Sequence, residues 1–105
     1  MNLLELFRTK SLEAAEVVRG EGMNLAVSEI AKLELVSKCS VNIESDTLLG
    51  NLSMWSSGEC DLLVTDEGGD RVLVNESAMI KNPDELPAFL DSIFGQLRGL
   101  NRRAS

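Results

Sequence analysis

The sequence predicts an α+β fold of two layers, in which a four-stranded antiparallel meander carries an N-terminal and a C-terminal helix on one face. Apolar residues recur at helical spacing near both ends of the chain, and between them apolar and polar residues alternate as they do in strands. The 105 residues, of which 44% are hydrophobic, have the size and composition of one domain, residues 1–105, with a single core.

The N-terminal segment, Asn2 to Arg19, has the pattern of one amphipathic helix. Its apolar residues follow spacings of three, four and seven, and they are Leu3, Leu4, Phe7, Ala14, Ala15 and Val18. Gly20 and Gly22 are expected to end this helix, because glycine readily adopts the left-handed conformation common at helix ends. A break at Thr9 to Ser11, which would give two shorter helices, is an alternative. Residues 23–36 have mixed periodicity, and we predict short extended structure there.

The strand pattern becomes regular at Lys38. Three alternate residues, Cys39, Val41 and Ile43, are expected to face inward, and a loop from Ser45 to Gly50 then turns the chain back. The next two strands, Asn51 to Trp55 and Glu59 to Asp66, are joined by the tight turn Ser56-Ser57-Gly58. The hairpin register places Met54 opposite Cys60 and Leu52 opposite Leu62, so that the apolar side chains share one face.

The fourth predicted strand, Arg71 to Glu76, follows the turn Glu67-Gly68-Gly69. A tight turn here places Val72 opposite Val64 and Val74 opposite Leu62. Both hairpins then have the same inner face.

The C-terminal helix has the clearest start signal in the chain. Asn82 is the expected N-cap, Pro83 suits the first helical position, and two acids follow in the first turn. Apolar residues then recur at helical spacing, and they are Leu86, Phe89, Leu90, Ile93, Leu97 and Leu100. Gly99 and the polar residues 101–105 are expected to end this helix.

The composition limits the kinds of partner. A formal net charge of −7 argues against nucleic acid and anionic membranes as partners, since both would repel this surface. A basic protein is the complementary partner. The chain has neither an apolar run of membrane-spanning length nor the basic start of a signal peptide, so a cytoplasmic protein is expected.

The residue types do not predict an enzyme. The sequence contains no histidine and no tyrosine, which removes the commonest general base and the commonest metal ligand. The two cysteines, Cys39 and Cys60, are predicted to be buried and roughly 9 to 10 Å apart, which is too far for a disulfide or a shared metal. We therefore predict no catalytic residue, no cofactor and no metal.

The acidic residues are concentrated in one part of the chain. No basic residue occurs between Lys38 and Arg71, and Trp55, the only tryptophan, falls in this stretch. Six residues are the predicted partner-binding set: Trp55, Glu59, Asp61, Glu44, Asp46 and Ser53. An exposed tryptophan among carboxylates is typical of a binding hot spot with electrostatic steering, but a solvated sheet face whose tryptophan covers its cross-strand neighbours has the same pattern.

The hairpin itself carries a family resemblance. Residues Leu49 to Val64, which read Leu-Gly-Asn-Leu-Ser-Met-Trp-Ser-Ser-Gly-Glu-Cys-Asp-Leu-Leu-Val, and the preceding Ser40 to Ser45 are similar to the TriTu family of bacterial immunity proteins. The order of helix, strands and helix is also similar. Residues 23–37 match no part of the family pattern, and the six predicted contact residues come from charge and exposure rather than from the family.

The resemblance implies an immunity protein for interbacterial competition. It would bind and inhibit a type VI secreted toxin that ADP-ribosylates elongation factor Tu, in a complex expected to be 1:1, and would occlude the active site of the toxin. The alternative is a small acidic secretion chaperone or adaptor for an effector protein. Such a protein would expose an apolar groove for an extended peptide and would normally dimerise.

Overall fold

The computed structural model describes residues 2–104. Its elements are α1 (Leu3–Arg19), β1 (Met23–Val27), β2 (Ala31–Lys32), β3 (Ser37–Ser45), β4 (Leu48–Trp55), β5 (Glu59–Asp66), β6 (Val72–Met79), a 3₁₀ turn (Pro83–Glu85) and α2 (Leu86–Ala104). The α+β class, with a helix at each end of an antiparallel sheet, is confirmed. The sheet order is β1-β3-β4-β5-β6, and β2 also pairs with β3.

The prediction of four strands is wrong, because residues 23–32 add to the sheet. β1 and β2 both pair with β3, Val27 opposite Val41 and Ala31 opposite Lys38, so they form one edge strand that is interrupted at residues 28–30. Arg8 of α1 binds this interruption, where it donates to the Ser28 carbonyl oxygen at 3.0 Å and to the Glu29 carboxylate at 2.9 Å. The mixed periodicity of residues 23–36 coincides with this interruption.

The extent of α1 and the Asn82 cap are confirmed, but Pro83 begins a 3₁₀ turn rather than α2, and α2 does not end where it was predicted to. α1 is continuous through Thr9 to Ser11, and the Asn2 side chain caps it by accepting from the Glu5 N–H at 2.8 Å. Asn82 likewise accepts from the Asp84 N–H at 3.0 Å, ahead of the 3₁₀ turn. At the C-terminus, α2 continues through Gly99 to Ala104.

Asn101 explains why α2 extends beyond the expected end. Its side chain is 9% exposed, donates to the Glu21 carbonyl oxygen at 3.2 Å and accepts from the Thr47 hydroxyl at 3.2 Å. One turn earlier, Arg98 binds the Glu21 carboxylate with two nitrogens, at 2.6 and 3.0 Å. Because the Arg98 guanidinium donates to it, the pKa of Glu21 is lowered. The polar end of α2 is thus held by the turns after α1 and β3.

The strand registers confirm one hairpin and correct the other. Met54 lies opposite Cys60 and Leu52 opposite Leu62, as predicted. In the next hairpin Val64 pairs with Val74 and Thr65 with Val72, so the predicted register is off by two residues. An irregularity between Val64 and Thr65 leaves an extra residue on β6. Val72 therefore shares the face of Thr65 and is 59% exposed.

The connection between β3 and β4 is shorter than the predicted loop from Ser45 to Gly50. Leu48 and the two residues after it already belong to β4. The Ser45 hydroxyl accepts from the N–H groups of Thr47 and Leu48, at 3.2 and 3.0 Å, and so closes a compact turn.

The core lies between the helices and one face of the sheet. A single cluster of buried side chains joins Leu4, Phe7 and Val18 of α1 with Leu90 and Leu97 of α2. The sheet contributes its alternate residues to this cluster: Leu25, Cys39, Val41, Ile43, Leu52, Met54, Cys60, Leu62, Val64 and Val74. Both helices therefore cover the same face, and the opposite face is left to solvent.

Candidate functional site

The face of the sheet that points away from the helices, here called the outer face, is open. Along β3 to β6 its residues alternate with the core residues, and they are Lys38, Ser40, Asn42, Glu44, Leu49, Asn51, Ser53, Trp55, Glu59, Asp61, Leu63, Thr65, Val72, Asn75, Ser77 and Met79. All of them except Ser53 are exposed or half-buried. No helix or strand among residues 2–104 covers this face.

Trp55 lies at one end of the outer face, as the last residue of β4. It is half-buried and sits opposite Lys38, whose ammonium nitrogen is 5.1 Å from the centre of the indole ring. This distance is within the range of a cation–π interaction. The sequence predicted carboxylates around the tryptophan, whereas the charged group over the ring is a cation. Part of the ring is thereby covered by its own chain.

The turn after Trp55 holds it in place. The Gly58 N–H donates to the Trp55 carbonyl oxygen at 2.9 Å, and the Ile80 N–H donates to the Gly58 carbonyl oxygen at 2.8 Å. Ser56 and Ser37 exchange two hydrogen bonds, since the Ser56 N–H donates to the Ser37 carbonyl at 2.8 Å and the Ser37 N–H donates to the Ser56 hydroxyl at 2.9 Å. These hydrogen bonds connect the start of β3, the turn between β4 and β5 and the residue after β6.

Ser53 belongs to a polar network rather than to the exposed surface. It is 4% exposed, and its hydroxyl donates to the Asn51 side-chain oxygen at 2.6 Å. The Ser40 hydroxyl lies 3.1 Å from that of Ser53, and the Asn51 amide donates to the Asn42 side-chain oxygen at 2.8 Å. The network fixes the rotamers of these side chains and leaves the Ser53 hydroxyl little surface for a partner.

The remaining acidic residues of the predicted set do not form one cluster. Asp61 is opposite Ser53 and accepts from the Ser77 hydroxyl at 2.7 Å, and Glu59 is opposite Met79. These two carboxylates are near Trp55. Glu44 instead pairs with Leu49, six residues from Trp55 along β4, which is about 20 Å at the rise of an extended strand.

Asp46 follows β3 in the turn beyond Glu44, so it also lies at the far end of the outer face. The structure therefore brings Trp55, Glu59 and Asp61 together and separates Glu44 and Asp46 from them. We call the first group, together with Lys38, the Trp55 cluster.

The two cysteines are core residues. Cys39 is 0% and Cys60 2% exposed, and both pair with Met54 from opposite sides. Burial raises the pKa of Cys39, and burial raises that of Cys60 to about 12. Both thiols are therefore protonated and unreactive at neutral pH. Among residues 2–104, no group of three or more His, Cys, Asp or Glu side chains has the geometry to hold a metal ion.

The chaperone alternative requires an apolar groove, and a groove of about 380 Å³ lies between α1 and α2. Its lining includes the apolar Ala14, Val17, Leu90 and Phe94. Four charged side chains also line it, and they are Lys10, Glu13, Asp91 and Arg98. Both cations of the groove form ion pairs, Lys10 with Glu13 at 3.5 Å and Arg98 with Glu21.

One exposed apolar feature was not predicted from the sequence. The turn between β2 and β3 contains Leu33, 53% exposed, and Leu35, 93% exposed. Sequence periodicity did not identify it because Ile30, Leu33 and Val36 recur at the spacing of a helix. The available signal for this feature in the sequence was two leucines that flank one acid, Leu33-Glu34-Leu35.

Comparison of the chain with models of known protein families finds no match, and comparison with curated proteins also finds none. Within residues 2–104, no helix has both the length and the apolar character needed to cross a membrane.

Proposed function

We propose that this protein is an immunity protein that binds and neutralises a cognate interbacterial ADP-ribosyltransferase toxin, in a 1:1 complex that occludes the active site of the toxin. The toxin would be delivered by type VI secretion and would modify elongation factor Tu, so the complex would protect translation. The proposal starts from the similarity of the Leu49 to Val64 hairpin to the TriTu family.

The observation that carries the proposal is the open outer face. The helices complete the core from the other side of the sheet. This face is therefore accessible to a partner. Its strand residues include three carboxylates, Glu44, Glu59 and Asp61, and one ammonium group, that of Lys38. Such a surface suits a basic partner and would accelerate association at low salt.

The direct test is inhibition of the toxin. Purified ADP-ribosyltransferase domain is incubated with NAD and elongation factor Tu, and increasing amounts of this protein are added. We expect labelling of the factor to fall to background at one equivalent, because a tight complex is stoichiometric. Undiminished labelling at a large excess would refute the proposed function.

The Trp55 cluster is tested by substitution. Trp55→Ala is expected to weaken toxin binding by at least about 2 kcal/mol, the loss typical of a hot-spot residue. Val72→Ala is the matched control, because Val72 is 59% exposed and pairs with Thr65 at the opposite end of the sheet. Isothermal titration calorimetry measures both, and circular dichroism checks that each variant is folded. Equal affinities for the two variants would exclude Trp55 from the interface.

The separation of the acids supplies a second contrast. Glu59→Gln removes a charge near Trp55, whereas Glu44→Gln removes one about 20 Å away. If the Trp55 cluster is the contact region, the association rate at low salt should fall more for Glu59→Gln than for Glu44→Gln. Stopped-flow fluorescence measures both rates. A larger effect of Glu44→Gln would place the interface at the other end of the outer face.

The chaperone or adaptor alternative is separated by two measurements. It predicts a dimer by light scattering and binding of an extended effector peptide in the groove between α1 and α2. A monomer that inhibits the transferase domain would favour the immunity function.

A further inference from the structure

The most exposed large apolar residue among those described is Leu35, at 93%, in the turn between β2 and β3. The Leu33 N–H donates to the Val36 carbonyl oxygen at 2.9 Å and closes this turn. Leu33 is itself 53% exposed, and the exposed Glu34 lies between the two leucines. The four residues 33–36 form the tip of a hairpin, here called the β2–β3 tip.

Turn chemistry does not explain these residues. No residue of this turn has a positive φ, so its backbone accepts most residue types and does not select Glu34 or Leu35. A leucine at 93% exposure contributes almost no burial to folding, and apolar side chains gathered at a surface favour association. Leu35 therefore contributes to the surface that a partner can contact rather than to the fold.

The β2–β3 tip has a fixed base next to the Trp55 cluster. β2 pairs with β3 through Ala31 with Lys38 and Lys32 with Ser37. Ser37 is hydrogen-bonded twice to Ser56, and Lys38 stands opposite Trp55. Leu35 precedes Lys38 by three residues, so their Cα atoms are within about 11 Å even if the chain is fully extended. The tip and the Trp55 cluster therefore lie at the same end of the sheet.

We propose that the β2–β3 tip inserts Leu35 into a concave apolar pocket of the toxin at its active-site cleft, while the Trp55 cluster contacts the rim of that cleft. This inference rests on the proposed function and identifies the element that performs the occlusion. A protruding side chain is buried on all sides only by a concave surface, which is why a cleft is the matching partner. Glu34 adds a carboxylate beside the leucines, so a basic group is expected at the pocket rim.

The first test compares two polar substitutions of exposed apolar residues. Leu35→Ser is expected to weaken binding of the ADP-ribosyltransferase domain by at least about tenfold, as removal of a buried leucine side chain does. Val72→Ser, at the opposite end of the sheet, is expected to bind like the wild type. Because both positions are exposed, both variants should fold. Equal affinity of Leu35→Ser and wild type would overturn the inference while leaving the proposed function intact.

The second test measures burial directly. Leu35→Cys is labelled with an environment-sensitive fluorophore, and the buried Cys39 and Cys60 should not react in the folded protein. A blue shift on adding the transferase domain, or loss of binding in the labelled protein, supports insertion when the same label at Val72→Cys produces neither. No change in a complex that still forms would overturn the inference.

Two further outcomes would also overturn the inference. A blue shift that appears when the labelled protein is concentrated alone would show that a second copy covers Leu35, and it would overturn the inference. If the wild-type protein does not bind the transferase domain at all, the proposed function fails and the inference fails with it. The wild-type titration therefore distinguishes the two failures.

Discussion

Gly58→Ala is predicted to destabilise the fold through a steric conflict at the turn after Trp55. Gly58 has a φ of +98°, a conformation that residues with a side chain rarely adopt. A Cβ atom at this position would overlap the carbonyl oxygen of Ile80, which is backbone and cannot rotate away. Gly58 also accepts the Ile80 N–H at 2.8 Å, so any shift that relieves the overlap disturbs this hydrogen bond.

The size of the effect follows from two contributions. The unfavourable φ costs about 1 to 2 kcal/mol for an alanine. Loss of the Gly58–Ile80 hydrogen bond adds about 1 kcal/mol. We therefore expect Gly58→Ala to lower the free energy of unfolding by about 2 to 3 kcal/mol, a large part of the stability of a domain of this size.

Gly69→Ala is the matched control. Gly69 has a φ of +75°, but a Cβ atom there would meet nothing within 4 Å, so only the conformational cost applies. Guanidinium denaturation, followed by the fluorescence of Trp55 and by far-UV circular dichroism, measures both variants. Gly58→Ala should lose at least about 1 kcal/mol more than Gly69→Ala, which is the hydrogen-bond contribution. Equal losses would refute the argument that Ile80 limits this turn.

Two further predictions concern buried side chains. The hydroxyl of Ser11, a residue 0% exposed, has no hydrogen-bond partner among the described residues, so Ser11→Ala should raise the free energy of unfolding by about 1 kcal/mol; a lower thermal midpoint would contradict this. The pKa of Cys60 is raised from about 9 to about 12, so above pH 9 the folded state keeps a proton that the unfolded state releases, and stability should fall as the pH rises through this interval. Urea denaturation at a series of pH values measures this decline, and the midpoint should fall less with pH in Cys60→Ala than in the wild type. The same fall in both proteins would contradict the raised pKa of Cys60.

The sequence was most informative where the alternation of residues and the turn chemistry agreed. The hairpin of Met54 with Cys60 could be predicted because a three-residue turn and a strict period of two leave one register that keeps the apolar residues together. The next hairpin could not be predicted. An extra residue on β6 moves Val72 to the outer face, and a β-bulge of this kind has no reliable sequence signal.

Part of the candidate site could also be predicted from the sequence. The positions of Glu59 and Asp61 near Trp55 follow from the short turn that joins their strands. Lys38 was not predicted as a neighbour of Trp55, because that contact depends on the register between β3 and β4. The distance of Glu44 from Trp55 follows from the same register, because Glu44 pairs with Leu49 beside the β3–β4 turn, whereas Trp55 is the last residue of β4.

The sequence by itself determined the class of the fold, the inner and outer faces of the central strands, the extent of the N-terminal helix, the Asn82 cap and the burial of the two cysteines. These features depend on local periodicity and on residues near one another in the chain. Only the tertiary structure decided that residues 23–32 extend the sheet, that Asn101 holds α2 beyond Gly99, and that Leu35 protrudes beside the Trp55 cluster. Each of these depends on contacts between segments distant in sequence, and no local pattern specifies such contacts.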